Sequence, residues 1–153
     1  MARDKGKRGE REVIDWLQPI VNEIYRSYGI EPALLQRNTI QSDRGGTDIA
    51  GLEWLAAEVK NVEADNPAIL KDWWTQCSEQ ASQWSKPGRP MIPVLFYKRN
   101  RRPFRIRMPG FACGHMEDKA FVFAVVDISM EAFEVYFRKR LEIELEKDLA
   151  AGG

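Results

Sequence analysis

Glu58 and Lys60 stand two residues apart in the run Trp54-Leu55-Ala56-Ala57-Glu58-Val59-Lys60-Asn61, whose composition and bounds predict a strand over 54–61. Side chains alternate faces on an extended strand, so Glu58 and Lys60 point one way while Leu55, Ala57 and Val59 point the other. Upstream, Asp48 falls in a short strand candidate over 47–50, and only Gly51 to Glu53 separate the two. That spacing predicts a hairpin with Asp48 and Glu58 as approximate cross-strand neighbours. Carboxylates so placed repel unless one takes up a proton or both bind a cation, and hard divalent cations prefer oxygen ligands. A lysine on the same face can orient or help deprotonate an attacking water and offset charge on a phosphorane. These are the parts for hydrolysing a phosphodiester. An acid and a lysine at this spacing are common on any solvated strand, so the pair gains meaning from its company.

Part of that company is Glu10. It precedes Val13, Ile14 and Leu17 at spacings that put it on the buried side of an amphipathic helix, where an acid needs a partner. A metal at the strand pair, or Arg37, would serve. The helix, marked by Val13, Leu17, Val21, Ile24 and Tyr28, is expected over 5–28, with a kink or break near Gln18 ahead of Pro19 and an end at Gly29.

Other elements must hold this set in place. A strand is expected over 34–38, then the polar, glycine-bearing loop 40–46. Leu70, Trp73, Cys77, Ala81 and Trp84 mark one face of a helix over 67–84, stopped by Pro87, Gly88 and Pro90. Strands follow over 92–98 and 104–108, and a nearly continuous apolar run over 120–127 reads as a buried strand. Ser129 is positioned to cap a closing helix to about 149 with the stripe Phe133, Phe137, Leu141, Leu145 and Leu149, which packs on this chain's sheet or on a second subunit. The elements imply an α/β fold, a central mixed β-sheet flanked by helices, in a single domain over 1–153 with its motif region at 5–108 and a C-terminal strand and helix at 120–149.

At 153 residues and 44% hydrophobic content the chain can bury a core of its own. No apolar run is long enough to cross a bilayer and the first residues lack the apolar segment of a signal peptide, so a soluble, cytoplasmic protein is expected, with no membrane partner. Cys77 and Cys113 lie far apart without a CxxC pair and read as reduced and structural, and the single histidine, His115, reads as a loop residue. Zinc and histidine-base chemistry therefore lack parts. The formal net charge is zero, but its distribution is uneven: Arg3, Lys5, Lys7, Arg8 and Arg11 open the chain, 98–107 is basic without an acid, and Glu142, Glu144, Glu146 and Asp148 gather late. Local basic runs, rather than net charge, report on contact with phosphates.

In order along the chain stand Lys5-Gly6, Glu10-Arg11-Glu12, Arg37, Asp48-Ile49-Ala50-Gly51 and Glu58-Val59-Lys60. This pattern resembles the archaeal-type Holliday junction resolvases of the PD-(D/E)XK nuclease superfamily, well over 5–62 and loosely over 93–107. The resemblance implies a restriction-endonuclease-like core, with Glu10, Asp48, Glu58 and Val59 holding Mg2+, for which Mn2+ substitutes, and Lys60 acting on water. Beside a nuclease site the basic runs suggest phosphate contacts from Lys5, Lys7, Arg8, Arg11, Arg99, Arg101 and Arg102, and the resemblance adds Arg37 and Ser42, which stands where that family places a loop serine. It further implies a homodimer that nicks a four-way junction symmetrically. The competing readings are a nuclease for flaps, single strands or a recognition site, and a DNA-binding protein that keeps the fold without catalysis. Gln76 and Gln80 stand where relatives place a glutamine, or on plain solvated helix. Trp73, Trp74 and Trp84 read as core ahead of base-stacking residues.

Overall fold

The computed structural model describes residues 2–38, 47–62, 66–87, 90–110 and 124–152, with side chains from Lys7 onward. Ser42, Cys113, His115, the side chain of Lys5, the whole of the loop 40–46 and the first part of the expected strand 120–127 lie outside the described residues.

Helix α1 spans Ala2–Ser27 and buries Val13, Leu17, Ile20, Val21 and Ile24 along one stripe. Contrary to expectation it is not broken at Pro19. Pro19 is exposed, as is Asp15 one turn earlier, so the carbonyl that the proline leaves without a donor faces water while buried neighbours on the other side hold the helix together. Gln18 instead ties down the next segment: its amide donates to Ala33 O at 2.9 Å and its oxygen accepts from Leu35 N at 2.7 Å. The helix ends in a Schellman motif, with Gly29 at φ +68, Gly29 N–H donating to Arg26 O and Ile30 N–H to Tyr25 O.

Two short strands follow, β1 (Gln36–Arg37) and β2 (Ile49–Ala50), paired antiparallel, and Asn38 N–H extends the pairing to Asp48 O at 2.9 Å. β3 (Leu55–Val62) then enters a separate four-stranded sheet of order β3-β4-β5-β6, with β4 (Ile92–Arg99), β5 (Arg105–Pro109) and β6 (Val125–Ser129). The expected hairpin of β2 with β3 does not form. β2 turns back onto β1, and β3 pairs parallel with β4. The reason lies at 51–54, where Gly51 takes φ +129 and Leu52 and Trp54 are buried, so the chain dives into the core rather than reversing tightly.

A parallel pair requires a crossover, supplied here by α2 (Pro67–Trp84). Asn66 caps it by accepting from Ile69 N at 2.9 Å, and Pro67 occupies its first turn, where a missing N–H costs nothing. α3 (Met130–Gly152) is capped by Ser129, whose hydroxyl accepts from Ala132 N. Its stripe packs on this chain's own sheet: Phe133 meets Phe96 edge-on at 5.2 Å, and Phe137 lies 5.9 Å from Trp54. Phe133, Phe137, Leu141 and Leu145 are buried, while Leu149 is exposed.

The sheet is thus mixed and covered on both sides. Leu55, Ala57, Val59, Val94, Phe96, Ile106 and Met108 join α1 and α3 in the main core. On the other face Leu95 and Tyr97 pack with Cys77, Leu70, Trp73 and Trp74 of α2. Burial on both faces explains why Leu55 to Val59 are all inaccessible despite two faces of different chemistry. The last strand differs from expectation: β6 is the sheet's terminal strand, half-exposed, with Val125 44% exposed.

Candidate active site

β3 carries the site because Glu58 and Lys60 alternate with core residues. In the parallel register Glu58 is opposite Leu95 and Lys60 opposite Tyr97, which places both on the α2 face. Asp48 reaches the same place without a hairpin. Its N–H donates to Ala57 O at 2.8 Å, and its Oδ2 accepts from Val59 N at 2.7 Å. These two bonds to β3 fix the Asp48 carboxylate against Glu58, with which it shares a hydrogen bond. Asp48 and Glu58 are 7% and 5% exposed, among the few buried charged groups.

Burial of that kind opposes two negative charges. Glu58 is pushed up to about 8, first by burial and then by the Asp48 charge and their hydrogen bond, with Lys60 pulling the other way. The metal-free pair therefore holds a proton between its oxygens near neutral pH. A divalent cation would replace it: the donors are all oxygen, they are desolvated, and each alternative to a cation costs free energy. The residues present fit a hard divalent metal. Val59 turns its side chain toward α1 and offers the site only its main chain, of which the N–H is already taken by Asp48.

Glu10 arrives from α1. Gly9 allows the approach, because a Cβ there would lie 3.2 Å from Val59 Cγ1 and 3.3 Å from Asn61 Cβ. Glu10 Oε2 accepts from Arg37 Nε at 2.7 Å, so of the two partners foreseen for it the arginine is engaged. Burial raises its carboxyl, the Arg37 hydrogen bond lowers it, and Asp48 raises it further, which puts Glu10 within electrostatic reach of the pair. Among the described residues no three acids stand close enough to hold a metal ion, so a cation at Asp48 and Glu58 would need further ligands from main chain, water or substrate oxygen, or a Glu10 released from Arg37.

The basic residues fall in two places. Lys7, Arg8 and Arg11 line α1, with Arg8 and Arg11 exposed, while Arg99, Arg101 and Arg102 are exposed around the β4–β5 turn. Arg37 touches the acid cluster through its ion pair with Glu10. Gln76 is exposed and Gln80 half-buried, and Trp84 is exposed while Trp73 and Trp74 pack inward. Cys77 is a buried packing residue whose thiol burial pushes up, away from reactivity. One cluster has no signal in the sequence: Asp127 accepts the Tyr97 hydroxyl at 2.9 Å and both Nε and Nη2 of Arg107 at 2.9 and 3.0 Å. Its members come from three strands, and only the register brings them together.

Among the described residues no helix is long and apolar enough to cross a membrane. A family profile described as "Phage putative PDDEXK endonuclease" matches residues 1–147, nearly the full chain and both halves of the site. No curated protein and no solved structure matches. The match supports the superfamily that the motifs resemble and a phage-type origin, and it does not extend to the archaeal resolvase branch. Nucleases of this superfamily generally use divalent metal ions, in keeping with the buried oxygen pair. With the α/β fold and the Asp48, Glu58 and Lys60 constellation in place, the chain belongs to the phage PDDEXK endonuclease family.

Proposed function

We propose that the protein is a magnesium-dependent endodeoxyribonuclease that cuts branched DNA, with a four-way junction as its substrate, and that it serves recombination or repair inside the cell. The observation that carries the chemistry is the buried Asp48–Glu58 pair, pinned by the bond from Val59 N–H to Asp48 and flanked by Lys60. Asp48 and Glu58 would hold the metal, with Mn2+ able to replace Mg2+, and Glu10, once released from Arg37, and the Val59 main chain would add to its surroundings. When bound, the metal supplies Lewis-acid stabilisation to the phosphate under attack. Lys60 orients the attacking water and offsets charge on the phosphoryl oxygens. Arg37 holds Glu10 in place and, with Lys5, Lys7, Arg8, Arg11, Ser42, Arg99, Arg101 and Arg102, holds the DNA backbone.

The junction as substrate rests on the ordered motif from Lys5 to Lys60. A homodimer follows from it, because paired symmetric nicks need two sites and each chain carries one such pair. A panel of a four-way junction, a flap, a single strand and a plain duplex, each with Mg2+, tests both. Wild type is expected to nick the junction fastest, at symmetric positions, and Lys60→Ala to lose about a hundredfold or more in kcat. Equal cutting of all substrates removes the junction assignment. Lys60→Ala as active as wild type removes the mechanism.

A further inference from the structure

The site face of the sheet continues past Lys60 to Tyr97 and Arg105, which the hydrolytic reading leaves without a role. Lys60 is opposite Tyr97, and Tyr97 is opposite Arg105. Directly opposed residues share a face, so these side chains form one row leading away from the acid pair. The row ends at a hollow lined by Tyr97, Lys98, Arg99, Arg102, Pro103 and Arg105, an aromatic wall with cationic sides.

The acids nearby are committed to other cations. Asp127 takes Arg107 in a two-pronged pair, and Glu12 takes Lys98, which also sits 5.0 Å above the Phe104 ring. Arg102 and Arg105 have no carboxylate partner among the described residues. The Tyr97 hydroxyl donates to Asp127 at 2.9 Å and is also in hydrogen-bond contact with Arg105, which holds the ring as a wall beside that guanidinium. The turn that presents these arginines is strained. Arg101 sits at φ +63, where glycine or asparagine would be less costly, and the turn is closed by Arg102 N–H on Arg99 O and Asn100 N–H on Val62 O, both at 3.0 Å. A left-handed arginine flanked by others keeps several cations on one short turn at a cost in backbone energy. Such strain gathers at binding sites.

We propose that this hollow is a pocket for one backbone phosphate of the DNA, with Arg102 and Arg105 as its ligands and Tyr97 as its wall. It anchors the strand a few nucleotides from the bond held at Asp48 and Glu58, and so fixes where the cut falls. The inference rests on the nuclease reading and extends it to a second, non-catalytic contact. From Glu58 the diagonal to Arg105 crosses two strands, at roughly 4.8 Å each, and rises two residues, at roughly 3.3 Å each, which is about 12 Å between main chains. At roughly 3.4 Å of axial rise per nucleotide, that distance spans about four nucleotides.

The test is binding without catalysis. Fluorescence anisotropy of a fluorescein-labelled junction is measured over a range of salt in metal-free buffer for wild type, Arg102→Ala/Arg105→Ala and the control Arg26→Ala/Lys139→Ala, which removes equal charge from exposed positions elsewhere. The pocket variant is expected to show a slope of log Kd against log salt shallower by about two, so that a fourfold rise in salt weakens wild type about fifteenfold more than the variant. The control keeps the wild-type slope, and all three proteins keep the wild-type Tm. An unchanged slope in the pocket variant, or an equal loss in the control, overturns the pocket. Manganese-induced rise in Tm on the same proteins reports on the metal reading separately. It is expected in wild type and pocket variant alike; its absence from wild type would count against the nuclease reading while the slopes still decide the pocket.

Discussion

Glu58 is a glutamate almost without access to water, hydrogen-bonded to a second buried acid, and its proton is held up to about 8. In the unfolded chain an ordinary glutamate loses its proton near 4.3. The folded, metal-free protein therefore binds this proton more tightly than the unfolded chain, and its stability falls as pH rises from about 4.5 to about 8. Glu58→Gln cannot ionise and is expected to abolish that slope, with a Tm above wild type at pH 8 in the absence of metal. Added Mg2+ or Mn2+ should raise the wild-type Tm more at pH 8 than at pH 5.5, because at the lower pH the cation competes with the bound proton. Thermal melts across pH with and without metal check both. A metal-induced shift independent of pH would contradict the shared proton.

At the scale of elements, the site depends on how β1, β2 and β3 meet. Gly51 sits at φ +129 with the Leu34 carbonyl oxygen 2.5 Å from where a Cβ would stand, so only glycine fits without moving backbone. Gly51→Ala is expected to cost roughly 2–4 kcal/mol and to lower Tm by about 5–15 °C, with a loss of metal response as Asp48 shifts from Val59. A variant that melts like wild type would show that the turn tolerates a left-handed alanine. The same turn marks the limit of the sequence reading. Alternation along β3 separated Glu58 and Lys60 from the core side correctly, and helical spacing placed Glu10, with Arg37 foreseen as one possible partner. The hairpin was wrong in its pairing yet right about the neighbours, since a single main-chain bond and one carboxylate bond replace a ladder. Pro19 and the run at 120–127 misled for related reasons: local pattern records neither which helix side faces water nor which strand ends at a sheet edge. The Tyr97–Arg107–Asp127 cluster was illegible because its spacing has meaning only once β4, β5 and β6 are in register.

At the scale of the molecule, the sheet separates the aromatic core from the proposed site. The aromatic core of Trp16, Phe96, Phe133 and Phe137 lies on the α1 and α3 side, and Glu58, Lys60 and Tyr97 lie on the α2 side. Phe137→Ala, which empties a fully buried position, is expected to cost about 3–5 kcal/mol while leaving kcat per folded molecule within about twofold. Activity measured below the melting transition and corrected for folded fraction checks this; a tenfold fall in kcat would mean that the two faces are coupled. The central claim, that Asp48 and Glu58 exist to share a divalent cation beside Lys60, is tested most directly by anomalous diffraction from a crystal soaked in manganese at pH 8. A peak within coordination distance of both carboxylates is expected, lost in Asp48→Asn. A well-ordered site with no peak, or manganese held only by other acids, would contradict it.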